Sequence, residues 1–351
     1  MPKPTLSQIA KELGVSTATV SLAMKENSRI SDATRSKVLK AMRESGYVYQ
    51  RSAAGLRKAK TDTVGIILNN VSDPFYSTLL AEIERALAEE GRTAFLCNTN
   101  ESLDRQAEFI RKMSEYNADG IILVPAIGTE PVHLEQFKEI APPIVCATRT
   151  VAGYPIDAVV LDDAEGGRMA TRHLVNLGHR RIAIVGGVES ISSFRDRLTG
   201  HRMALDELGL PFEESLVFEM RPVRKSGFDI APELVESPVA ATAAIGYNAI
   251  VTLGLKAGLQ KAGVLPGRDF ALIASENVEE LQLTSPALST ISLDDRNMGR
   301  SIVNLLMERI QNPETEPQTL LLPPELLVRE SCNPCQENNT LPKSGTTVRL
   351  V

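Results

Sequence analysis

The amino-acid sequence predicts an α/β fold: a two-lobed body of parallel sheets flanked by helices, preceded by a small all-α domain. Three observations carry the prediction. The chain has 351 residues, 43% of them hydrophobic, enough for two or three cores rather than one. Its charge is divided: residues 1–60 hold 12 Lys and Arg against 4 Asp and Glu, a net of +8, and the remainder nets −14 within a total of −6. After Asp62, short apolar runs alternate with amphipathic stretches in two successive rounds. The ordinary composition excludes a collagen, a mucin-like stalk and a wholly disordered chain. Four Cys are too few for a disulfide scaffold and point to a reducing compartment. With no run of eighteen apolar residues and no apolar signal core in Met1–Ala10, the expectation is a cytoplasmic protein without membrane contact.

The basic head reads as three short helices. Leu6, Ile9, Ala10 and Leu13 share one face of the first, Thr5 with Gln8 forms a capping box, and Gly14 ends it. Ser16 caps a second helix running to about Met24 with Val20 inward. A third starts at Ser31, carries Val38, Leu39 and Met42 inward, and stops at Gly46. Helix, tight turn, helix and support is the helix-turn-helix plan. Thr17, Ala18 and Thr19 begin the second helix, where small methyls and hydroxyls can approach base edges, and Leu22 can touch thymine methyls one turn later. Ser16, Thr19 and Ser21 suit phosphate contacts, and Lys3, Arg29 and Arg35 suit backbone clamps.

The body begins with Thr63–Leu68, a continuous apolar strand of the kind buried on both faces. Helix is expected over Phe75–Glu90, Leu103–Asn117 and Pro131–Ile140, with strands at Thr93–Cys97, Gly120–Val124 and Pro143–Thr148. The second round places helices at Asp163–Leu177, Arg197–Leu208, Gly227–Val235 and Asn248–Lys261. Its strands fall at Arg181–Val185, Ser215–Glu219, Ala240–Ile245, Phe270–Ser275 and Thr290–Ser292. Repeated βα alternation implies doubly wound parallel sheets, whose ligands sit beyond the carboxyl ends of the strands. For two lobes that place is the cleft between them.

The run Thr5-Leu-Ser-Gln-Ile-Ala-Lys-Glu-Leu-Gly-Val-Ser-Thr-Ala-Thr-Val-Ser21 resembles the N-terminal signature of the lactose-repressor family of bacterial transcription regulators. Arg29-Ile-Ser-Asp-Ala-Thr-Arg35 and Ala41-Met-Arg-Glu-Ser-Gly-Tyr47 continue the likeness, which extends to about Glu330. Within the family, Val15–Leu22, Arg29–Ala33 and Asp73-Pro-Phe-Tyr76 are most similar to the maltose-regulon branch. The resemblance implies a body like the periplasmic sugar-binding proteins, with crossovers near Val160–Asp163, Thr290–Asp294 and Leu320–Pro323, after which Met298–Ile310 returns to the first lobe. It divides the chain into a head at 1–50, a hinge helix and linker at 51–61, a first subdomain at 62–161 plus 293–320, a second at 162–292 plus 321–330, and a tail at 331–351. Arg51-Ser-Ala-Ala-Gly-Leu-Arg-Lys58 matches the family's hinge. By that match Leu56 is the apolar wedge pushed into the minor groove, and Ala53 and Ala54 pack the paired hinges. So short a helix is marginal alone, which suits a switch.

A cleft for a small hydroxylated molecule wants Asp, Glu, Asn and Arg at strand ends beside an apolar or aromatic platform. Asp73, Phe75, Arg149, Asp162, Arg197, Asn248 and Glu276 fit that description. By resemblance, Arg197 in Arg197-Leu-Thr-Gly200 is the family's effector-binding arginine and Asp73-Pro-Phe-Tyr76 its first-lobe effector loop. Glu276 stands where the family carries the first Asp of a Gly-Phe-Asp-Asp run. This chain departs there, reading Ala274-Ser-Glu-Asn277, and Arg149 stands near a position more often acidic. An added cation would favour a sugar acid or sugar phosphate over a neutral sugar.

The four His form no ligand spacing, and Cys332-Asn-Pro-Cys335 stands without the further ligands zinc needs, so no metal and no cofactor is expected. Nor does a nucleophile with its base or a dinucleotide fingerprint emerge, which argues against an enzyme. The expected function is a sequence-specific transcription regulator, more readily a repressor of sugar or polyol genes, bound as a homodimer to a palindromic DNA operator and answering a small-molecule effector. A corepressor-dependent repressor is the nearest alternative, and an α/β solute-binding protein or enzyme the remote one.

Overall fold

The computed structural model describes residues 4–24, 30–47, 61–236, 240–292 and 295–335, apart from the side chains of 295–297. Two compact units divide the chain, residues 1–61 and 62–351.

In the first unit, α1 spans Leu6–Leu13, α2 Thr17–Ala23 and α3 Asp32–Glu44. The start signals act as written in the sequence. Thr5 and Gln8 bond reciprocally, the Thr5 N–H reaching Gln8 Oε1 at 2.7 Å and the Gln8 N–H reaching Thr5 Oγ1 at 3.3 Å. Ser16 and Ser31 each accept the backbone N–H three residues on. Gly14 closes α1 at φ 65°, a conformation that costs glycine least. Ile9, Ala10, Val20, Ala23, Val38 and Met42 form the core, whereas Leu39, expected inward, is half-buried.

In the second unit, α4 (Pro74–Glu89), α5 (Leu103–Glu115) and α6 (Pro131–Glu135) alternate with β1 (Thr63–Leu68), β2 (Thr93–Asn98), β3 (Gly120–Leu123), β4 (Ile144–Ala147) and β5 (Asp157–Leu161). The second round runs through α7 (Asp163–Asn176), β6 (Ile182–Val185), α8 (Ser192–Glu207), β7 (Val217–Phe218), α9 (Arg224–Glu236), β8 (Ala243–Gly246) and α10 (Ala249–Lys261). It ends in β9 (Ala271–Ala274), α11 (Glu279–Leu283) and β10 (Ser289–Ser292). Then come α12 (Asp295–Gln311), β11 (Thr319–Leu322) and β12 (Glu325–Leu327).

Among the described residues these strands build two six-stranded sheets, ordered β11-β5-β4-β3-β1-β2 and β12-β10-β9-β8-β6-β7. Every neighbouring pair is parallel except β10 with β12. From β2 to β5 and from β7 to β10 the order is the same doubly wound 2-1-3-4-5, so the architecture is duplicated. The chain passes between the sheets between Leu161 and Asp163, between Ser292 and Asp295, and between Leu322 and Glu325.

The central strands of each sheet are buried on both faces. In the first, Ile66, Leu68, Ile122 and Val145 pack with Ile83 and Leu87 of α4 and Ile302 and Leu306 of α12. The alternate residues Ile67, Ile121, Leu123 and Cys146 pack with Ile110 and Met113 of α5. In the second, Ile182, Ile184, Ala243 and Ile245 meet Leu174, Phe194 and Leu205 of α7 and α8. Those two helices approach until Gly200 lies against the Ala164 carbonyl and Gly167 against that of Arg197, where a Cβ has no room.

The differences from expectation have local causes. Helix α8 starts five residues early because Phe194, 1% exposed, is needed in the core and draws Ser192 and Ser193 into the first turn. Strands β5, β11 and β12 and helix α11 were not expected as elements. Residues 331–335, expected in the tail, are docked instead. Ser331 N and O bond Ala287 O and Leu272 N, Cys335 N reaches Leu177 O at 2.8 Å, and His179 Nε2 lies 3.0 Å from Asn333 O.

Candidate functional site

On the head, the start of α2 offers Thr17 and Ala18 to solvent, with Leu22 37% exposed one turn later. Ser16 is exposed, but its hydroxyl is engaged by Thr19 N at 3.0 Å and Thr19 Oγ1 at 2.9 Å. Thr19, Ser21 and Arg35 are half-buried, and Thr5 serves the capping box. Arg29, Ala53, Ala54 and Leu56, with Lys3 and the expected hinge, lie outside the described residues.

In the body, the carboxyl ends of strands from both lobes converge on a cavity of about 210 Å³. The first lobe contributes Asn69 after β1, Asp73 and Tyr76 at the start of α4, Glu101 after β2 and Arg149 after β4. The second contributes Arg221 after β7, Tyr247 and Asn248 after β8 and Glu276 after β9. A smaller hollow shares Tyr76, Tyr247 and Glu276 and adds Phe75 and Arg197. Six of the seven expected effector residues thus meet here. Asp162 does not line either space: it directly follows β5, and the start of α7 takes its carboxylate as a cap, Oδ1 accepting Glu165 N at 2.9 Å.

Helix starts position the other groups. Asp73 caps α4, accepting Phe75 N at 3.0 Å, and Asn248 caps α10, accepting Val251 N at 2.9 Å. These two caps meet across the lobes, Asn248 Nδ2 donating to Asp73 Oδ2 at 3.3 Å. Thr150 N makes a second bridge to Ser192 Oγ at 2.9 Å. Glu276 Oε2 accepts Ala249 N at 3.0 Å. Burial pushes Asp73 up to about 6, against the Phe75 N–H and Arg149, which favour its charge.

Arg197 is committed within the second lobe. Its Nε donates to Asp163 Oδ1 at 2.7 Å, Nη1 donates to the Tyr247 carbonyl, and the guanidinium lies 5.1 Å from the Tyr247 ring centroid. Arg149 is committed too, both Nη groups forking onto Glu101 at 3.1 Å while Nη1 also reaches Pro125 O at 2.9 Å. The added cation expected from the sequence is therefore neutralised by a carboxylate the sequence reading did not single out. Glu101 and Thr148, both beside this centre, hold φ of 63°, a strained value for residues with a side chain.

Tyr76 belongs to the Asp73–Tyr76 loop already expected, whereas Asn69, Glu101, Arg221 and Tyr247 were missed. One signal points to all four: each stands within about one turn of a strand's carboxyl end, where ligands of doubly wound sheets bind.

Comparison with known proteins assigns both parts. Residues 5–50 match the bacterial regulatory proteins of the lacI family, and residues 61–330 match the periplasmic binding proteins and sugar binding domain of that family. The chain belongs to the LacI family of bacterial regulatory proteins. It is a sequence-specific DNA-binding transcription regulator rather than an enzyme. It is 30% identical to the HTH-type transcriptional regulator DegA of Bacillus subtilis over 335 residues, covering 95% of this chain and 99% of the relative. It is 29% identical to the maltose regulon regulatory protein MalI of Escherichia coli, covering 93% and 98%. The two stand level, so the comparison supports the family without singling out the maltose branch. Among solved structures it is similar to the transcriptional regulator CelR–cellobiose complex, at 28% identity and TM-score 0.72, covering 93% of this chain and 99% of that one. The fold also matches the lac repressor dimer bound to operator and the anti-inducer ONPF, at 23% identity and TM-score 0.84, covering 95% and 100%. Among the described residues no helix is long and apolar enough to cross a membrane, and no group of three potential metal-ligating side chains occurs.

Proposed function

We propose that this regulator is a ligand-responsive repressor of sugar or polyol uptake and catabolism genes, acting in the cytoplasm as a homodimer on a palindromic operator. The observation that carries the reading is the cavity lined from both lobes, whose two capping residues already touch through Asn248 and Asp73. A small molecule held there binds both lobes at once and so biases their relative position, which is what coupling to a second site requires. Cellobiose in a relative of 28% identity supports a sugar or sugar derivative as the effector. In this reading Asp73, Phe75, Arg149, Arg197, Asn248 and Glu276 form the effector site, and Asp162 supports it as a helix cap. In this reading the subdomains are 62–161 plus 293–322 and 162–292 plus 323–330; the last boundary moves two residues beyond the expected 320 because β11, Thr319–Leu322, pairs with β5 of the first lobe.

On the head, Thr17, Ala18 and Leu22 read bases, and Ser16, Thr19, Ser21, Thr5, Arg29 and Arg35 position the helix on phosphates. Leu56 between paired Ala53 and Ala54 bends the operator centre. An inducer lowers operator affinity and a corepressor raises it, and each acts reciprocally on the other site. The test is a fluorescence-anisotropy titration of a palindromic duplex from the flanking DNA, with and without sugars at moderate salt. Selection of the palindrome over random duplex, altered by one sugar, supports the proposal. Equal affinity for both duplexes, or a complex indifferent to every sugar, defeats it.

A further inference from the structure

The second inference rests on the cleft being the effector site and concerns what that site accepts. Arg149 is 4% exposed and Asn69 2%, and both line the cavity. Glu101 binds them together. Its Oε1 accepts Arg149 Nη2 at 3.1 Å and Asn69 Nδ2 at 2.8 Å, and its Oε2 accepts Arg149 Nη1 at 3.1 Å and Ile127 N at 2.8 Å. Four donors on two oxygens occupy the carboxylate fully. Two buried polar atoms of this cluster remain without a hydrogen-bond partner: Arg149 Nε, a donor, and Asn69 Oδ1, an acceptor. The amide is oriented by its neighbour, because turning it over would set Oδ1 against the Glu101 carboxylate. Buried polar groups are nearly always paired, so an orphan donor and an orphan acceptor in one cavity ask for a partner.

We infer that Glu101, by saturating the Arg149 fork, sets this cleft to read a neutral hydroxyl group and to refuse anions, with Asn69 Oδ1 and Arg149 Nε as the reading pair. Asn69 Nδ2 and Arg149 Nη2 bond the same oxygen of Glu101, which sets the two side chains side by side in the cavity wall. A hydroxyl donates to Asn69 Oδ1 and accepts from Arg149 Nε. A carboxylate or fully ionised phosphate only accepts, and an ammonium only donates. The rest of the lining agrees: Asp73 and Glu276 add carboxylate oxygens, Glu101 adds its charge but no free acceptor, and the cations Arg149 and Arg221 are one buried and matched, one exposed. An anion entering here meets more negative than positive charge, whereas a polyol finds acceptors for its hydroxyl protons.

The chain contains no Trp, so binding is best followed by isothermal titration calorimetry. The probes are D-glucose, D-galactose, D-mannose and D-ribose against D-glucuronate, D-galacturonate and D-glucose 6-phosphate. The expected result is a neutral sugar bound at least about tenfold more tightly than any anionic probe. Within the monodeoxy series of that sugar, loss of one hydroxyl weakens wild-type binding about tenfold but leaves binding to Asn69→Ala unchanged, the mark of a direct pair. Glu101→Gln, close in shape, frees the Arg149 fork and gains uronate affinity about tenfold, with uronate also raising that variant's melting temperature. Preference of the wild type for a uronate or phosphate, failure of every neutral sugar to bind, or independent effects of deoxygenation and Asn69→Ala each overturn the inference. The deoxy series on wild type stands even where the variants fold poorly. Operator selection is measured separately, so sugar binding without a DNA response sinks the regulatory reading and spares this one.

Discussion

Replacing Arg197 by Ala removes a guanidinium that bonds Asp163 Oδ1 at 2.7 Å, donates to the Tyr247 carbonyl and covers the Tyr247 ring. The side chains of Arg197 and Asp163 are 13% and 4% exposed, so breaking the pair falls among buried-pair disruptions of about 3–5 kcal/mol. Asp163 has one escape. Burial already pushes its carboxyl up to about 6, and Arg197 is the main influence holding it down. Without Arg197 it moves further up and takes a proton near neutral pH, which holds the loss toward about 3 kcal/mol. The pH dependence follows from the direction of that shift. An unfolded Asp titrates at 3.8, and the native carboxyl near 6 holds its proton more tightly. The stabilising contribution is full below the unfolded value and is lost as pH rises through the native one. In the wild type that loss ends just above pH 6, whereas in Arg197→Ala it continues to higher pH. Thermal unfolding of both proteins from pH 5 to pH 8.5 should therefore show a gap that is smallest at pH 5 and widens through neutrality. Operator affinity without ligand should stay nearly intact while its response to the effector is lost. A gap independent of pH, or a variant as stable as wild type throughout, would refute the assignment of Arg197 as the counter-charge of Asp163.

Two further outcomes test the packing. Gly200→Ala drives a Cβ into the Ala164 carbonyl, so α7 and α8 must part at a cost of about 1–3 kcal/mol, read as a drop of several degrees in melting temperature. Burial keeps His179 neutral, and its bond to Asn333 O pins the docked C-terminal segment over Cys332. Titration of native thiols should modify Cys335 first, since Cys97, Cys146 and Cys332 are buried, and His179→Ala should add rapid modification of Cys332; unchanged kinetics would mean the histidine does not hold the segment.

How much of this was legible in the sequence depended on whether a residue's task was local. Strand β1 was read to the residue because a short apolar run rich in β-branched residues, Val64–Leu68 after Thr63, suits a strand buried on both faces. The caps at Thr5, Ser16 and Ser31 were legible because a cap acts within three residues of itself. Strands β11 and β12 were not, since each is a short, partly exposed edge strand whose identity comes from partners far away, β5 for one and β10 for the other. Glu101 stands at a legible place, just after β2, but its partner was hidden for the same reason. Nothing in Asn100-Glu101-Ser102 announces a carboxylate that will meet an arginine 48 residues later. Arg149 was found, but its charge was read without its partner, and the partner changes what the arginine can recognise.

The order in which the ribosome delivers these pieces is constrained by the return of α12 to the first lobe. Arg309 of that helix forks onto Asp157 of β5, and Leu306 lies over Gly120 of β3. The first lobe to be synthesised is thus the one that must wait: until residue 311 has emerged, Ile122, Val145 and Val159 are covered on that face by α4 without α12. A nascent chain stalled anywhere before that point carries a half-built lobe with apolar surface left open to water.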